Sequence, residues 1–135
     1  MSNNLDYLNR VYLKIDLDKI CNNTKEVMKR VGKDTKVMAV VKADAYGHGA
    51  IEVSKALSEI GTYGFAVATV GEALALRRAG ITKPILILDF VFPNQFETII
   101  RNDIMLTVFR YEIAKELNEA AEQMGTTAHI HIKVD

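Results

Sequence analysis

The sequence predicts an α/β fold built on a parallel sheet, and three observations carry that expectation. Short runs of β-forming residues alternate with stretches of helical periodicity along the whole chain. Glycines punctuate the alternation: Gly32, Gly61, Gly80 and Gly125 each follow a helical stretch, where a residue without Cβ ends a helix most easily. The run KVMAVVK is apolar on both faces, as a sheet covered on both sides requires.

VYLKIDL (Val11–Leu17) alternates and reads as a first strand. Asp18 stands where it can cap a helix with Ile20, Val27, Met28 and Val31 on its apolar stripe, closed by Gly32. KVMAVVK follows as a strand, then a helix from about Ala50 to Ile60, then the strand YGFAVATV. Thr69 and Glu72 have the spacing of a capping box ahead of EALALRRA. PILILDF is the next strand, and Pro93 opens a short helix to about Arg101. IMLTVF, the helix YEIAKELNEAAEQM and the strand AHIHIKVD complete the chain.

Counted from Val37, this gives about five strands and four intervening helices. Two architectures accommodate it: an open doubly wound sheet, or an α/β barrel cut near its middle, since a complete eight-stranded barrel takes ~250 residues. Periodicity does not choose between them.

Composition narrows the function classes. The 135 residues suit one domain, and 49% hydrophobic residues against 25% charged can build a core, which excludes a disordered tail. Seventeen basic residues balance seventeen acidic ones, so no global field attracts nucleic acid or an anionic membrane. The lone Cys21 cannot form an internal disulfide and is expected to pack on its helix as a small apolar residue in a reducing compartment. MSNNLDYLNR lacks the cationic and apolar regions of a signal peptide, and no apolar run approaches the ~20 residues that span a bilayer. The expectation is a soluble, cytoplasmic protein without nucleic-acid or membrane partners.

The chemistry concentrates in VMAVVKADAYGHGA, residues Val37 to Ala50. An otherwise buried strand ends in Lys42, and ligands of parallel α/β sheets bind at the carboxyl ends of strands. An amine partly desolvated at such a position is nearer its neutral, nucleophilic form, which an aldehyde captures as a Schiff base. Tyr46 offers a hydroxyl to a phosphate oxygen, and the turn Gly47–Gly49 leads into a helix whose free amides favour an anion. The same lysine is equally a residue that snorkels to solvent, and His48 is expected to hydrogen-bond the turn rather than to react.

AVVKADAYGHGA closely resembles the pyridoxal-phosphate attachment site of the bacterial alanine racemases. YLKIDLDKICNN resembles the family's opening strand and helix, FAVATVGEALALRRAG its next strand–helix unit, and HIHIKVD the start of a later strand motif. The resemblance covers essentially the whole chain after the first few residues. Asp44 stands where the family usually has asparagine. The resemblance implies the first five or so strands of a TIM-type (β/α)8 barrel, truncated. Residues 1–10 would be a tail and 11–135 the N-terminal portion of the barrel domain, without its C-terminal half or the C-terminal β domain.

It further implies pyridoxal 5'-phosphate bound as a Schiff base to Lys42, which would also serve as base or acid on the D-face of the substrate. Tyr46 would help to hold the phosphate, and no metal is implied. Lys133 matches the lysine that some members carbamylate to orient an active-site arginine. The implied activity is interconversion of L-alanine and D-alanine for peptidoglycan, in a homodimer. The opposite-face tyrosine, the arginine beyond KVD and most phosphate contacts lie outside the chain, so it would be inactive alone. A serine racemase and a non-enzymatic pyridoxal-phosphate barrel are the alternatives. A metal-dependent hydrolase, suggested by His129 and His131 with Lys133, is a third class.

Overall fold

The structure, a computed structural model, describes residues 11–134, so the 1–10 tail and Asp135 lie outside the described residues. In chain order the elements are α1 (Leu17–Val31), β1 (Met38–Val40), α2 (Lys42–Gly47), α3 (Ala50–Glu59), β2 (Gly64–Val67) and α4 (Val70–Arg78). They continue with β3 (Ile85–Ile87), a 3-10 turn (Pro93–Gln95), α5 (Phe96–Arg101), β4 (Ile104–Val108), α6 (Tyr111–Gln123) and β5 (Ile130–Ile132).

Strand order decides between the two architectures. The five strands lie in the order β1-β2-β3-β4-β5, and every neighbouring pair is parallel. A doubly wound sheet reverses its order at a switch point, whereas a barrel adds each strand beside the last. The sheet is the first part of an α/β barrel.

Register sorts its residues into two faces. Ala39, Phe65, Ile85 and Ile104 form one row, and Val67, Ile87, Leu106 and Ile130 the next on the same face. Phe65, Ile85, Ile104, Val67, Ile87 and Leu106 of these rows meet Leu57, Leu76, Ile99 and Leu117 from the helices in one apolar core, while Ile130 at the edge is 41% exposed. Burying each such side chain contributes about 1.5–3 kcal/mol. The opposite face carries Val40, Ala66, Leu86 and Met105 in one row, with Thr107 beside His131. Val40 remains 44% exposed there.

Two expectations at the N-terminus are corrected. VYLKIDL is not a strand: residues 11–16 pair with nothing in the described sheet, and Leu17 already belongs to α1. Alternation alone does not make a strand without a neighbour to complete its ladder, and Val11 and Leu13 are 88% and 86% exposed. The cap is Asp16, not Asp18: its carboxylate accepts from the Lys19 amide at 3.1 Å. Asp18 sits in the first turn, where a negative charge suits the helix dipole.

The amino-end rim of the sheet is fastened by Arg77 of α4. Its Nε donates to Asn102 O at 2.9 Å, Nη1 to Ile81 O and Lys83 O at 2.8 and 2.7 Å, and Nη2 to Asp103 O at 2.6 Å. Burial pushes the guanidinium below its ordinary pKa while the charge of Asp103 pulls it back up. One planar fork thus satisfies four backbone carbonyls of two loops.

Gly64, at the start of β2, stands where a side chain has no room. A Cβ there would lie 2.6 Å from Pro84 O and 3.1 Å from Met38 Cε. Replacing Gly64 by Ala in the intact protein is expected to cost about 1–3 kcal/mol through overpacking. A denaturant midpoint unchanged by Gly64→Ala would refute this contact.

Candidate active site

β1 delivers Lys42 to the carboxyl end of the sheet. The ladder continues one residue past the strand, with Val41 N donating to Ala66 O at 2.8 Å, and Val41 is 1% exposed. Lys42 comes next and is half-buried. Val41, with φ −121° and ψ 21°, already leaves the extended conformation, so Lys42 stands where the strand gives way to α2.

The segment after Lys42 is unlike anything its composition suggested. Ala43, Asp44, Ala45 and Tyr46 have φ of 50, 53, 51 and 55°, with ψ of 50, 46, 44 and 38°, so α2 is a left-handed turn. Each L-residue in that conformation costs about 1–2 kcal/mol, and such strain persists only where its surroundings over-determine it. Within the turn Ala45 N donates to Val41 O at 2.9 Å and Gly49 N to Asp44 O at 3.0 Å. His48 Nδ1 bonds Ala45 O at 2.8 Å, which requires the tautomer protonated at Nδ1.

Two carboxylates brace the turn from either side. Asp44 Oδ1 accepts from Ala50 N at 2.7 Å. The sequence offered the start of α3 as a free anion site; instead Asp44 occupies its first amide. Aspartate and asparagine both tolerate the left-handed region, and an asparagine at this position would present the same acceptor oxygen. On the other side Glu72 Oε1 accepts from Ala43 N at 2.7 Å, while Oε2 accepts from Ala68 N at 2.8 Å and Thr69 N at 3.0 Å. Burial pushes the Glu72 pKa up, but the amides of Ala43, Ala68 and Thr69 and the Thr69 hydroxyl outweigh it and hold the carboxyl below its ordinary value.

The Thr69–Glu72 capping box is present as the spacing predicts. Local spacing gave no sign that Glu72 also reaches Ala43, 29 residues away. Topology supplies the reason: adjacent parallel strands bring the loop after β1 beside the start of the helix after β2. Sequence reasoning also passed over Phe90 and Phe92, which meet edge-to-face at 5.0 Å, with Arg110 stacked 5.7 Å above Phe90. These aromatics follow β3, and Arg110 follows β4, at the same rim of the sheet.

The remaining expected site residues are not gathered at one point. Tyr46 is 62% exposed within the left-handed turn. Lys133 follows β5, its amide donating to Val108 O at 2.9 Å. Three strands separate it from Lys42, about 19 Å along a sheet with strands spaced 4.8 Å apart and less across its curve. His129 lines a cleft with Tyr63 and Met105, and His131 is paired with Thr107. Among the described residues no three His, Cys, Asp or Glu side chains converge as a metal site.

Residues 15–135 match the family model of the alanine racemase N-terminal domain. The chain is 48% identical over 125 residues to an alanine racemase of Methanococcus maripaludis, covering 93% of this chain and 34% of that protein. An alanine racemase of Clostridium tetani is 44% identical over 129 residues, covering 96% and 33%. Among solved structures, the alanine racemase of Clostridium difficile 630 in complex with cycloserine superposes with a TM-score of 0.81 at 42% identity, covering 88% of this chain and 31% of that one. That of Streptomyces lavendulae gives 0.83 at 37% identity, covering 90% and 31%. The chain thus spans about a third of the length of these relatives.

Two measurements test this geometry. Ala43→Gly, which would cost about 1 kcal/mol in a right-handed helix, is expected to be neutral or stabilising at φ 50°; a loss in the denaturant midpoint contradicts the left-handed turn. A carboxyl with a depressed folded pKa contributes stability above its unfolded value and loses it as pH falls through the folded one. From about pH 4.5 downward the unsubstituted protein is therefore expected to lose stability more steeply than Glu72→Gln. Parallel pH profiles would show that the carboxylate is not ionically engaged.

Proposed function

Because the chain belongs to the alanine racemase N-terminal domain family, we propose that it is the cofactor-bearing part of an enzyme that interconverts L-alanine and D-alanine. The observation that carries the reading is Lys42 itself: a half-buried amine at the carboxyl end of β1, backed by a strained and braced turn. In this reading residues 11–135 are the N-terminal portion of a barrel domain behind a short tail, and D-alanine supplies peptidoglycan in the cytoplasm. No helix among the described residues is long and apolar enough to cross a membrane.

The donor set suits pyridoxal 5'-phosphate. Lys42 supplies the primary amine that its aldehyde requires, and the Tyr46 hydroxyl, exposed on the turn, supplies a donor for its phosphate. Since Asp44 already occupies the Ala50 amide, the remaining phosphate contacts are assigned to parts of the protein beyond this chain. The cofactor, when bound, supplies an electron sink that makes the substrate α-proton acidic.

Lys42 then moves that proton on the D-face of the α-carbon, and a group outside the chain works the opposite face. Lys133 is proposed as the residue that takes up carbon dioxide as a carbamate and orients an arginine, also outside the chain. With one face of the chemistry lacking, residues 1–135 alone are proposed to be inactive, and the intact protein to act as a homodimer. The cycloserine bound by the Clostridium difficile relative supports an amino-acid substrate.

Borohydride treatment of the intact protein with pyridoxal phosphate, followed by peptide mapping, tests the reading. A stable label is expected on Lys42. Lys42→Arg should abolish both the label and alanine racemisation; label on another residue, or racemisation surviving Lys42→Arg, would overturn it.

A further inference from the structure

We infer that Glu72 is a positioning residue for Lys42, which rests on reading Lys42 as the cofactor-bearing amine. A capping box asks Glu72 only to satisfy the start of its own helix, and Oε2 alone does so by accepting from Ala68 N and Thr69 N. The other oxygen is directed across to the turn that follows β1, where it holds Ala43 N at 2.7 Å, the shortest of the three bonds.

That contact matters because peptide planes are rigid. Two planes flank the Lys42 Cα. The preceding one is anchored through Val41 O, which accepts from Ala45 N at 2.9 Å. The following one is anchored through Ala43 N, held by Glu72. With both planes fixed, the Lys42 Cα–Cβ direction is fixed, and the side chain leaves the backbone on one heading. Ala43 is also the first of the four left-handed residues, so the same bond holds the turn at its point of entry.

The acceptor count makes the role specific to a carboxylate. Glu72 accepts three backbone N–H bonds with two oxygens. Glutamine has the same shape but only one oxygen; its amide nitrogen would face an N–H with another donor. Thr69→Ala provides the structural control, since it weakens the same capping box by removing the hydroxyl that accepts from Glu72 N at 3.3 Å, yet keeps both carboxylate oxygens and so the acceptor for Ala43 N.

The test compares Glu72→Gln and Thr69→Ala in the intact protein by three readouts: melting temperature, hydrogen exchange of the Ala43 amide, and the rate at which pyridoxal phosphate becomes borohydride-fixed on Lys42. Glu72→Gln is expected to slow fixation by about tenfold or more and to speed Ala43 exchange, while Thr69→Ala alters neither beyond its effect on melting. Fixation rates that track melting temperature in both variants would overturn the role. Should Glu72→Gln fail to fold, Ala43 exchange in the unsubstituted protein decides: protection of this exposed residue's amide supports the bond, and exchange at the unstructured rate refutes it. Should the unsubstituted protein fix no cofactor on Lys42, the proposed function falls, and Ala43 exchange across the variants still decides whether Glu72 holds the turn.

Discussion

Four consecutive L-residues do not stay in the left-handed region by themselves. Their steric cost, about 1–2 kcal/mol each, must be offset by neighbours that make every other conformation worse. In this chain the turn from Ala43 to Tyr46 is held by its own amides, by His48, by Asp44 bonded to the start of α3, and by Glu72 bonded to Ala43. Asp44, His48 and Glu72 around Lys42 are thus engaged in fixing a backbone. A rigid mount of this kind suits an amine that must meet a reaction partner from one direction, because chemistry at a bound carbon is sensitive to misplacement on the ångström scale.

The sheet supplies the other half of the placement. Sequential parallel strands put all their carboxyl ends at one rim, so Lys42 after β1, the aromatics after β3, Arg110 after β4 and Lys133 after β5 share it although they lie far apart in sequence. The helix-facing side carries the packing energy through Phe65, Ile85, Ile87 and Leu106. The opposite side carries Val40, Met105 and His131, and Val40 stays 44% exposed there.

Much of this was legible from residue pattern. Each run from KVMAVVK onward became a strand or helix near its expected bounds, because buried parallel strands read as short apolar runs and the glycines end helices cleanly. The capping box was readable because it is a local bond between residues three apart. VYLKIDL misled because alternation records what a strand would bury, not whether a partner exists. The left-handed turn was illegible for the opposite reason. Ala43 and Ala45 are residues of high right-handed helix propensity, and the bond that holds the entry to the turn comes from Glu72, 29 residues away. Strand order, too, escapes periodicity, which records what each segment buries but not which neighbour it joins.

At the rim remote from Lys42, the Arg77 fork ties together two connections that have no regular structure of their own. A hub of this sort concentrates backbone anchoring at one end of the strands. Loops at the opposite end are thereby spared that duty, so their lengths and residues can change while the strands beneath them keep their register.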